Sequence, residues 1–188
     1  MNKIIEIVHH IHILNAWLFV IPVWLLGIFI ANLNRKGMKR ATDMTWYKLI
    51  DKISSFGSLF SMISFLLISL FIPLQYSSSI FFVSGLILLI IGGLGHFAAK
   101  IAYSKTDQDE PVNSGIYKFS RNPMYAFLSV AFLGAVISSM SIFLAIIWIF
   151  MTIFTHLLII GEERYCLSTY GESYKNYMKK VSRYLFFF

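Results

Sequence analysis

The sequence predicts an all-α membrane protein, folded as a polytopic bundle of five transmembrane helices. Of its 188 residues, 57% are hydrophobic and only 13% are charged, whereas about a quarter are charged in soluble domains. Mean hydropathy is +0.71, and apolar segments of membrane-crossing length recur along the chain. The charged residues fall mostly between those segments. We therefore expect one membrane domain over residues 1–188.

Three spans are expected in residues 1–103, at 13–33, 53–73 and 80–103. Each is long enough to cross a hydrocarbon core of about 30 Å as a helix. The third span carries small residues, which favour close helix packing. These are Gly92, Gly93, Gly95 and Ala99.

Residues 104–188 are expected to contain a polar loop, a helical hairpin and a C-terminal amphipathic helix. Pro123 is suited to the first position of a helix, where its missing N–H has no effect, so the fourth span is predicted at 123–138. The fifth is predicted at 142–160, and its helix should continue beyond the membrane and turn near Gly171.

The charge distribution predicts the orientation of the bundle. Nearly every Lys and Arg falls in 34–52, in 104–122 or after the fifth span, and with five spans these segments share one side. The positive-inside rule places that side in the cytoplasm and the N-terminus outside. The net charge of +7 therefore fits orientation and headgroup contact, and we expect no nucleic-acid binding.

A polar stretch at residues 115–125 interrupts the apolar sequence just before the fourth span. Arg121 and Asn122 immediately precede Pro123, and Tyr125 falls in the first helical turn, where it can point back toward Arg121. A polar cluster at the mouth of a membrane helix indicates a site for small-molecule chemistry. An ordinary interfacial anchor pair is the simpler alternative, because Arg and Tyr favour that depth.

A second polar cluster follows the fifth span. Glu162 and Glu163 are adjacent carboxylates at the bilayer boundary, where they need water, a cation or a partner; a solvated helix end is the alternative. Three tyrosines recur at helical spacing: Tyr170, Tyr174 and Tyr177. They are interpreted either as membrane-surface or packing residues or as ligand contacts. A basic face suited to the anionic leaflet accompanies them: Lys175, Lys179, Lys180 and Arg183.

The two clusters, in order around an apolar hairpin, form one spaced pattern. It reads Gly115-x-Tyr117-x-x-x-Arg121-Asn122-Pro123-x-Tyr125, then Glu162-Glu163-x-x-x-Leu167-x-x-Tyr170-Gly171-x-x-Tyr174-x-x-Tyr177, and later Arg183. This pattern resembles the isoprenylcysteine carboxyl methyltransferase and phospholipid methyltransferase superfamily of integral membrane enzymes. The family usually has His at the position of Asn122.

The resemblance implies S-adenosylmethionine bound on the cytoplasmic side, between the loop before the fourth span and the C-terminal tail. It also implies a lipophilic acceptor, a lipid or small molecule, that arrives from the bilayer and is methylated on a carboxylate, amine or thiol. The implied cofactor-binding residues are Gly115, Tyr117, Arg121, Asn122, Tyr125, Glu162, Glu163 and Tyr174. The implied catalytic residues are Glu163, Arg183 and His156.

These residue types suit the chemistry of such a cofactor. A Glu carboxylate can pair with its ammonium or lie near its sulfonium, and Arg121 or Lys118 can take its carboxylate. The rings of Tyr117, Tyr125 and Tyr174 can pack on adenine or on the sulfonium. An amine acceptor must be neutral to react, and a Glu or His156 can take its proton. His156 can equally be a packing residue of the bundle.

Two other functions remain open at this point: a membrane reductase of the steroid-reductase type that uses NADPH, and a non-catalytic membrane scaffold. No metal site is predicted, because His9, His10 and His12 lack Cys or acidic partners. The single Cys166 excludes an internal disulfide. The oligomeric state does not follow from the sequence.

Overall fold

The computed structural model describes residues 15–33, 38–39, 43–75, 77 and 79–184. Within these ranges the fold is all-helical, as predicted, with no β-strand beyond a single bridge pair between Asn15 and Pro73. The helices are α1 (Trp17–Leu33), α2 (Leu49–Ser69), α3 (Ser79–Lys105), α4 (Pro123–Ser139) and α5 (Ile142–Lys180), with a 3-10 turn at Gly115–Lys118.

Three of these helices, α2, α3 and α5, are apolar and long enough to cross a membrane. The other two, α1 and α4, are apolar but have 17 residues each, or about 26 Å at 1.5 Å per residue. Large apolar side chains cover the outside of the bundle; Phe60 and Ile80 are each 72% exposed. Such a surface suits lipid rather than water. The chain is therefore a helical membrane protein, and the count of five spans stays a prediction.

Helix α2 begins and ends earlier in the chain than the predicted 53–73 segment. Its first turn contains Asp51, whose carboxylate accepts a hydrogen bond from the Lys48 amide at 2.8 Å. That contact satisfies one of the free amides at the helix start. A prediction from hydropathy assigned these charged residues to the loop, and it was wrong by about one turn.

Helices α3 and α4 pack closely through glycine. A Cβ added to Gly92 would overlap the backbone nitrogen of Ala131, and one added to Gly134 would lie 2.5 Å from the carbonyl oxygen of Gly85. Gly93, predicted for the same packing face, has no other atom nearer than 3.9 Å to an added Cβ. The close contact therefore uses one face of α3, and Gly93 does not belong to it.

The chain connections meet at the two ends of the bundle. At one end, the amide of Gln75 donates to Ser138 O at 2.8 Å and the amide of Ala16 donates to Ile72 O at 2.8 Å. These contacts join the start of α1, the α2–α3 connection and the α4–α5 turn. The polar residues before α4 and after the apolar part of α5 lie at the other end. Between the ends, Phe65 and Phe132 are fully buried and stack at 5.0 Å between ring centroids.

Helix α5 continues beyond its apolar segment and breaks at Gly171, where φ is 52° and ψ is −126°. A positive φ favours glycine, so the predicted turn near this residue agrees with the backbone. Beyond it, Tyr174 and Tyr177 are buried, and the lysines of the predicted basic face, Lys175, Lys179 and Lys180, are exposed. Arg183, predicted for that same face, instead pairs with Glu163.

Candidate functional site

The segment before α4 positions the first group of predicted site residues. Gly115 opens the 3-10 turn with φ at 59°, a conformation that favours glycine. Asn122 occupies the N-cap position, and Pro123 follows at the start of α4. This geometry directs the side chains of Arg121 and Asn122 toward α5.

Glu163 is the centre of the polar cluster, and its side chain is 4% exposed. Its Oε1 accepts hydrogen bonds from Arg121 Nε and Asn122 Nδ2, both at 3.0 Å. Its Oε2 accepts from Arg183 Nε at 3.0 Å and Nη2 at 2.8 Å. Four hydrogen bonds from charged and amide donors fully satisfy this buried carboxylate.

Arg121 also binds the chain that follows α5. Its Nη1 donates to Val181 O at 2.6 Å and to Met178 O at 3.2 Å, and its amide donates to Ser182 O at 2.9 Å. Tyr177 donates its hydroxyl to Tyr117 O at 2.6 Å. The loop before α4 and the C-terminal segment therefore form one unit around Glu163.

Glu162 has different surroundings from its neighbour. Its Oε1 accepts a hydrogen bond from the hydroxyl of Tyr125 at 2.5 Å. No described cation pairs with it, and its Oε2 has no hydrogen-bond partner in the described part of the chain. Glu163 is thus neutralised by arginines inside the protein, whereas Oε2 of Glu162 is available to a ligand.

A partly open cavity of about 120 Å³ lies beside these residues. Its walls come from the segment before α2, the end of α3, the loop before α4 and the polar part of α5. The lining residues are Asp43, Trp46, Tyr47, Tyr103, Val112, Tyr117, Arg121, Asn122, Met124, Tyr125, Glu162, Glu163, Tyr165, Cys166, Tyr170 and Tyr174.

The environments of the two carboxylates, which follow the apolar segment 142–160, separate their pKa values. Burial raises the pKa of Glu162 to about 7, against the hydrogen bond from Tyr125 and with a contribution from the charge of Glu163. Burial also acts to raise the pKa of Glu163, but the bonds and charges of Arg183 and Arg121 outweigh it and lower that pKa. Near neutral pH, Glu163 is ionised and Glu162 is close to its midpoint.

Most of the predicted site residues line the cavity. Three do not: Gly115, Arg183 and His156. The side chain of Arg183 binds Glu163, and its backbone carbonyl accepts from Asn122 Nδ2 at 3.5 Å. His156 Nδ1 lies 2.7 Å from the hydroxyl of Tyr184. Of the tyrosine series after Glu163, Tyr170 and Tyr174 line the cavity, while Tyr177 binds the loop before α4.

The wall contributed by residues before α2 was not predicted from the sequence. Trp46 stacks on Tyr165 with ring centroids 4.9 Å apart, and the buried Asp51 forms an ion pair with Arg164. The Trp46–Tyr47 pair, close before an apolar segment, was the one available signal. His9, His10 and His12, for which no metal site was predicted, lie outside the described residues; no group of three or more potential metal ligands occurs among those described.

Comparison with known proteins assigns the family. A family model described as phospholipid methyltransferase matches residues 77–173, more than half of the 188-residue chain. The matched region contains α3, α4 and α5 as far as the turn at Gly171, and therefore Arg121, Glu162 and Glu163. Comparison with curated proteins and with solved structures gave no match. The chain belongs to the phospholipid methyltransferase family of membrane proteins, in agreement with the resemblance that its two polar motifs carry.

Proposed function

We propose that this protein transfers a methyl group from S-adenosylmethionine to a lipophilic acceptor, a lipid or small molecule that offers a carboxylate, an amine or a thiol. The family match supports methyl transfer. The observation that carries the cofactor proposal is the meeting of Arg121 with Glu162 and Glu163 at one cavity. In the chain, Arg121 and Glu163 are 42 positions apart and separated by an apolar hairpin.

The polar groups of the cavity suit the charges of S-adenosylmethionine, which has a sulfonium, an ammonium and a carboxylate. Glu162 offers Oε2, which has no partner in the described structure, to a positive group. Arg121 uses Nε and Nη1 for its protein contacts, and its Nη2 makes none with the residues described. That edge of the guanidinium can bind a carboxylate.

The aromatic lining suits the rest of the cofactor. Adenine can stack on tyrosine, and a sulfonium is attracted to the face of an aromatic ring. Tyrosines surround Glu162 on several sides of the cavity: Tyr47, Tyr103, Tyr117, Tyr125, Tyr170 and Tyr174.

The size of the cavity limits how the cofactor binds. Its volume of about 120 Å³ is below the range of about 300 to 1,000 Å³ common for small-molecule sites. We therefore propose that the cofactor extends through the open side or displaces one wall on binding.

Once bound, S-adenosylmethionine supplies a methyl group on a positively charged sulfur. The residues of the chain hold the acceptor atom in line with that methyl group and exclude water. For an amine acceptor, Glu162 can take the proton, because it lines the cavity and its raised pKa is close to neutral pH. A carboxylate or thiolate acceptor would need no base.

We propose that Glu163, Arg183 and His156 act by positioning other groups rather than by touching the reacting atoms. Glu163 has no free oxygen lone pair directed to a ligand, since each of its oxygens already accepts two hydrogen bonds. Arg183 is outside the cavity lining. His156 and Tyr184 are hydrogen-bonded to each other, a contact that fixes the C-terminal segment beside Arg121. Asn122, where the family usually has His, shares the task of holding Glu163.

We further propose that the site lies at the cytoplasmic face of the membrane, as the charge distribution predicts. The exposed side chains of Lys175, Lys179 and Lys180 would then meet the anionic headgroups of that leaflet. The acceptor would enter from the lipid beside the bundle.

A thermal-shift titration in detergent tests the cofactor. S-adenosylhomocysteine at a hundred times its Kd should stabilise the fold by about 2.7 kcal/mol, and NADPH at equal concentration should have no effect. Stabilisation by NADPH alone would favour the reductase, and stabilisation by neither would favour the scaffold. The described structure contains no feature that favours either alternative.

A further inference from the structure

The segment of residues 43–48 lies outside the matched family region of 77–173, yet it forms one wall of the cavity. It contributes Asp43, Trp46 and Tyr47 to the lining. Tyr47 is close enough to Glu162 for the charge of that carboxylate to add to the effect of burial and raise the pKa of the tyrosine. This wall therefore faces the carboxylate that is available to a ligand.

Two contacts hold this segment against α5. Trp46 stacks on Tyr165, with an angle of 15° between the rings. Asp51 is 1% exposed; its Oδ2 accepts a hydrogen bond from the Lys48 amide at 2.8 Å and forms an ion pair with Arg164. The anchoring residues of α5 directly follow the Glu162–Glu163 pair in the chain.

The helix facing Asp51 leaves room for its carboxylate. A Cβ added to Gly161 would overlap Asp51 Oδ1, so only glycine permits this approach. A buried carboxylate needs a charged partner and hydrogen bonds to be stable. Arg164 supplies the charged partner, and the Lys48 amide supplies a hydrogen bond. These contacts fix the position of the C-terminal end of the 43–48 segment.

We propose that Asp51 is a positioning residue that holds residues 43–48 as the fourth wall of the cavity and thereby sets the affinity for the methyl donor. The role rests on the proposed function. Because the cavity is small, a ligand would need one wall to adjust, and this one is held to α5 through the Asp51–Arg164 pair and the Trp46–Tyr165 stack.

Three variants test this role in the full-length protein in detergent. Asp51→Asn keeps the shape of the side chain and removes its charge. Arg164→Gln removes the partner from a position that is 39% exposed, where the fold tolerates change more readily. Arg164→Lys restores the charge. Glu172→Gln is the matched control, because it breaks an exposed ion pair with Lys175 on the same helix.

Two measurements are made on each variant: hydrogen–deuterium exchange of the peptide covering 43–48, and the Kd of S-adenosylhomocysteine. We expect faster exchange confined to that peptide and a roughly tenfold weaker Kd in Asp51→Asn and Arg164→Gln, as the loss of one charge-assisted hydrogen bond would produce. Arg164→Lys should recover most of the affinity, and Glu172→Gln should match the wild type.

Unchanged exchange at 43–48 in both Asp51→Asn and Arg164→Gln would overturn the proposal, whether or not the ligand binds. Faster exchange spread over all helices would also overturn it, since that result indicates a general structural role. Failure of the proposed function would appear differently, as no binding of S-adenosylhomocysteine by the wild-type protein.

Discussion

At the scale of single residues, Glu162 and Glu163 show how one helix gives two carboxylates different tasks. Successive residues of an α-helix point about 100° apart. Both side chains line the cavity, but Glu163 binds the loop before α4 and Glu162 binds Tyr125. Glu163 receives Arg121, Asn122 and Arg183. Glu162 receives one tyrosine hydroxyl. Glu163 therefore stabilises the fold of the site, and Glu162 is available to a ligand.

Arg121→Ala should disrupt the site far more than Lys118→Ala. Arg121 holds the buried Glu163 and two backbone carbonyls, so its loss leaves polar groups without partners and should lower the free energy of unfolding by about 3 to 5 kcal/mol. Lys118, four positions from Asn122, is exposed. Chemical denaturation and the Kd of S-adenosylhomocysteine provide the readouts. Equal effects of the two substitutions would contradict the role assigned to Arg121.

The pH dependence of ligand binding should report on Glu162. Its pKa is about 7 in the folded protein, raised by burial from 4.5, so the folded state holds a proton that the unfolded state has lost between these values. Stability without ligand should therefore fall as pH rises through this window. Affinity for a cation should increase, by roughly tenfold between about pH 6 and about pH 8.

Calorimetry with both S-adenosylmethionine and S-adenosylhomocysteine identifies the cation involved. A pH effect on both ligands indicates the ammonium, which they share; an effect on the first alone indicates the sulfonium. Glu162→Gln should remove the dependence in either case. A variant that retains the full pH dependence would show that another group titrates.

The sequence could predict a residue of the site where that residue belongs to a local motif. Arg121 and Glu163 each stand in a short spaced pattern, and so their meeting could be expected from the resemblance. The Asp51–Arg164 pair joins residues 113 positions apart, and neither belongs to those motifs. Only the packing of α2 on α5 brings them together.

At the scale of elements, the α3–α4 contact depends on particular glycines rather than on small residues in general. Gly92 allows the backbone of α4 to approach, whereas a Cβ added to Gly93 would lie 3.9 Å from Val23 of α1 and from Phe97, at ordinary van der Waals distance. The sequence showed that α3 had a small-residue face, but a run of adjacent glycines does not reveal which of them faces the neighbour. Helix rotation is set by packing across the whole bundle.

Gly92→Ala and Gly93→Ala therefore form a matched pair. The first places a Cβ against the backbone nitrogen of Ala131, which cannot move without shifting α4, and should cost about 1 to 3 kcal/mol. The second adds a methyl group where there is room and should be neutral or slightly stabilising. Unfolding in a graded mixture of detergents, followed by circular dichroism, measures both. Equal loss of stability in the two variants would mean that α3 and α4 are rotated relative to each other, away from the arrangement in the structure.

The helix ends show where hydropathy fails as a predictor. The start of α2 lies in a charged segment because Asp51 caps its first turn, and a hydropathy average assigns such residues to a loop. The break at Gly171 was predictable, because glycine favours a positive φ and Gly171 is the one glycine between Glu162 and the end of α5. Local chemistry thus set both the break in α5 and the start of α2, but a hydropathy average does not detect a capping carboxylate.

At the scale of the whole molecule, the two ends of the bundle differ in charge. The end that contains the α2–α3 connection and the α4–α5 turn has no charged residue in 70–79 or 138–142. The opposite end contains Arg121, Glu162, Glu163 and Arg164, together with the exposed lysines near the end of α5. Helices α3 and α4 each have one terminus at one end of the bundle and one at the other, so both connect the two ends. This asymmetry supports a membrane crossing by α4 despite its 17 residues.

The crossing of α4 has a direct experimental test in cells. On a Cys166→Ser background, Ser77→Cys and Glu172→Cys each place one thiol at an exposed position, the first before α3 and the second just beyond the break of α5 at Gly171. With five spans these thiols lie on opposite sides, so an impermeant maleimide should label Ser77→Cys in intact cells and Glu172→Cys only after permeabilisation. If α4 did not cross, only α3 and α5 would cross between the two positions, and both thiols would lie on the same side. Labelling of both under one condition would therefore refute the five-span topology. The reverse pattern, with Glu172→Cys labelled from outside, would keep five spans and invert the orientation, because the basic end would then face away from the cytoplasm.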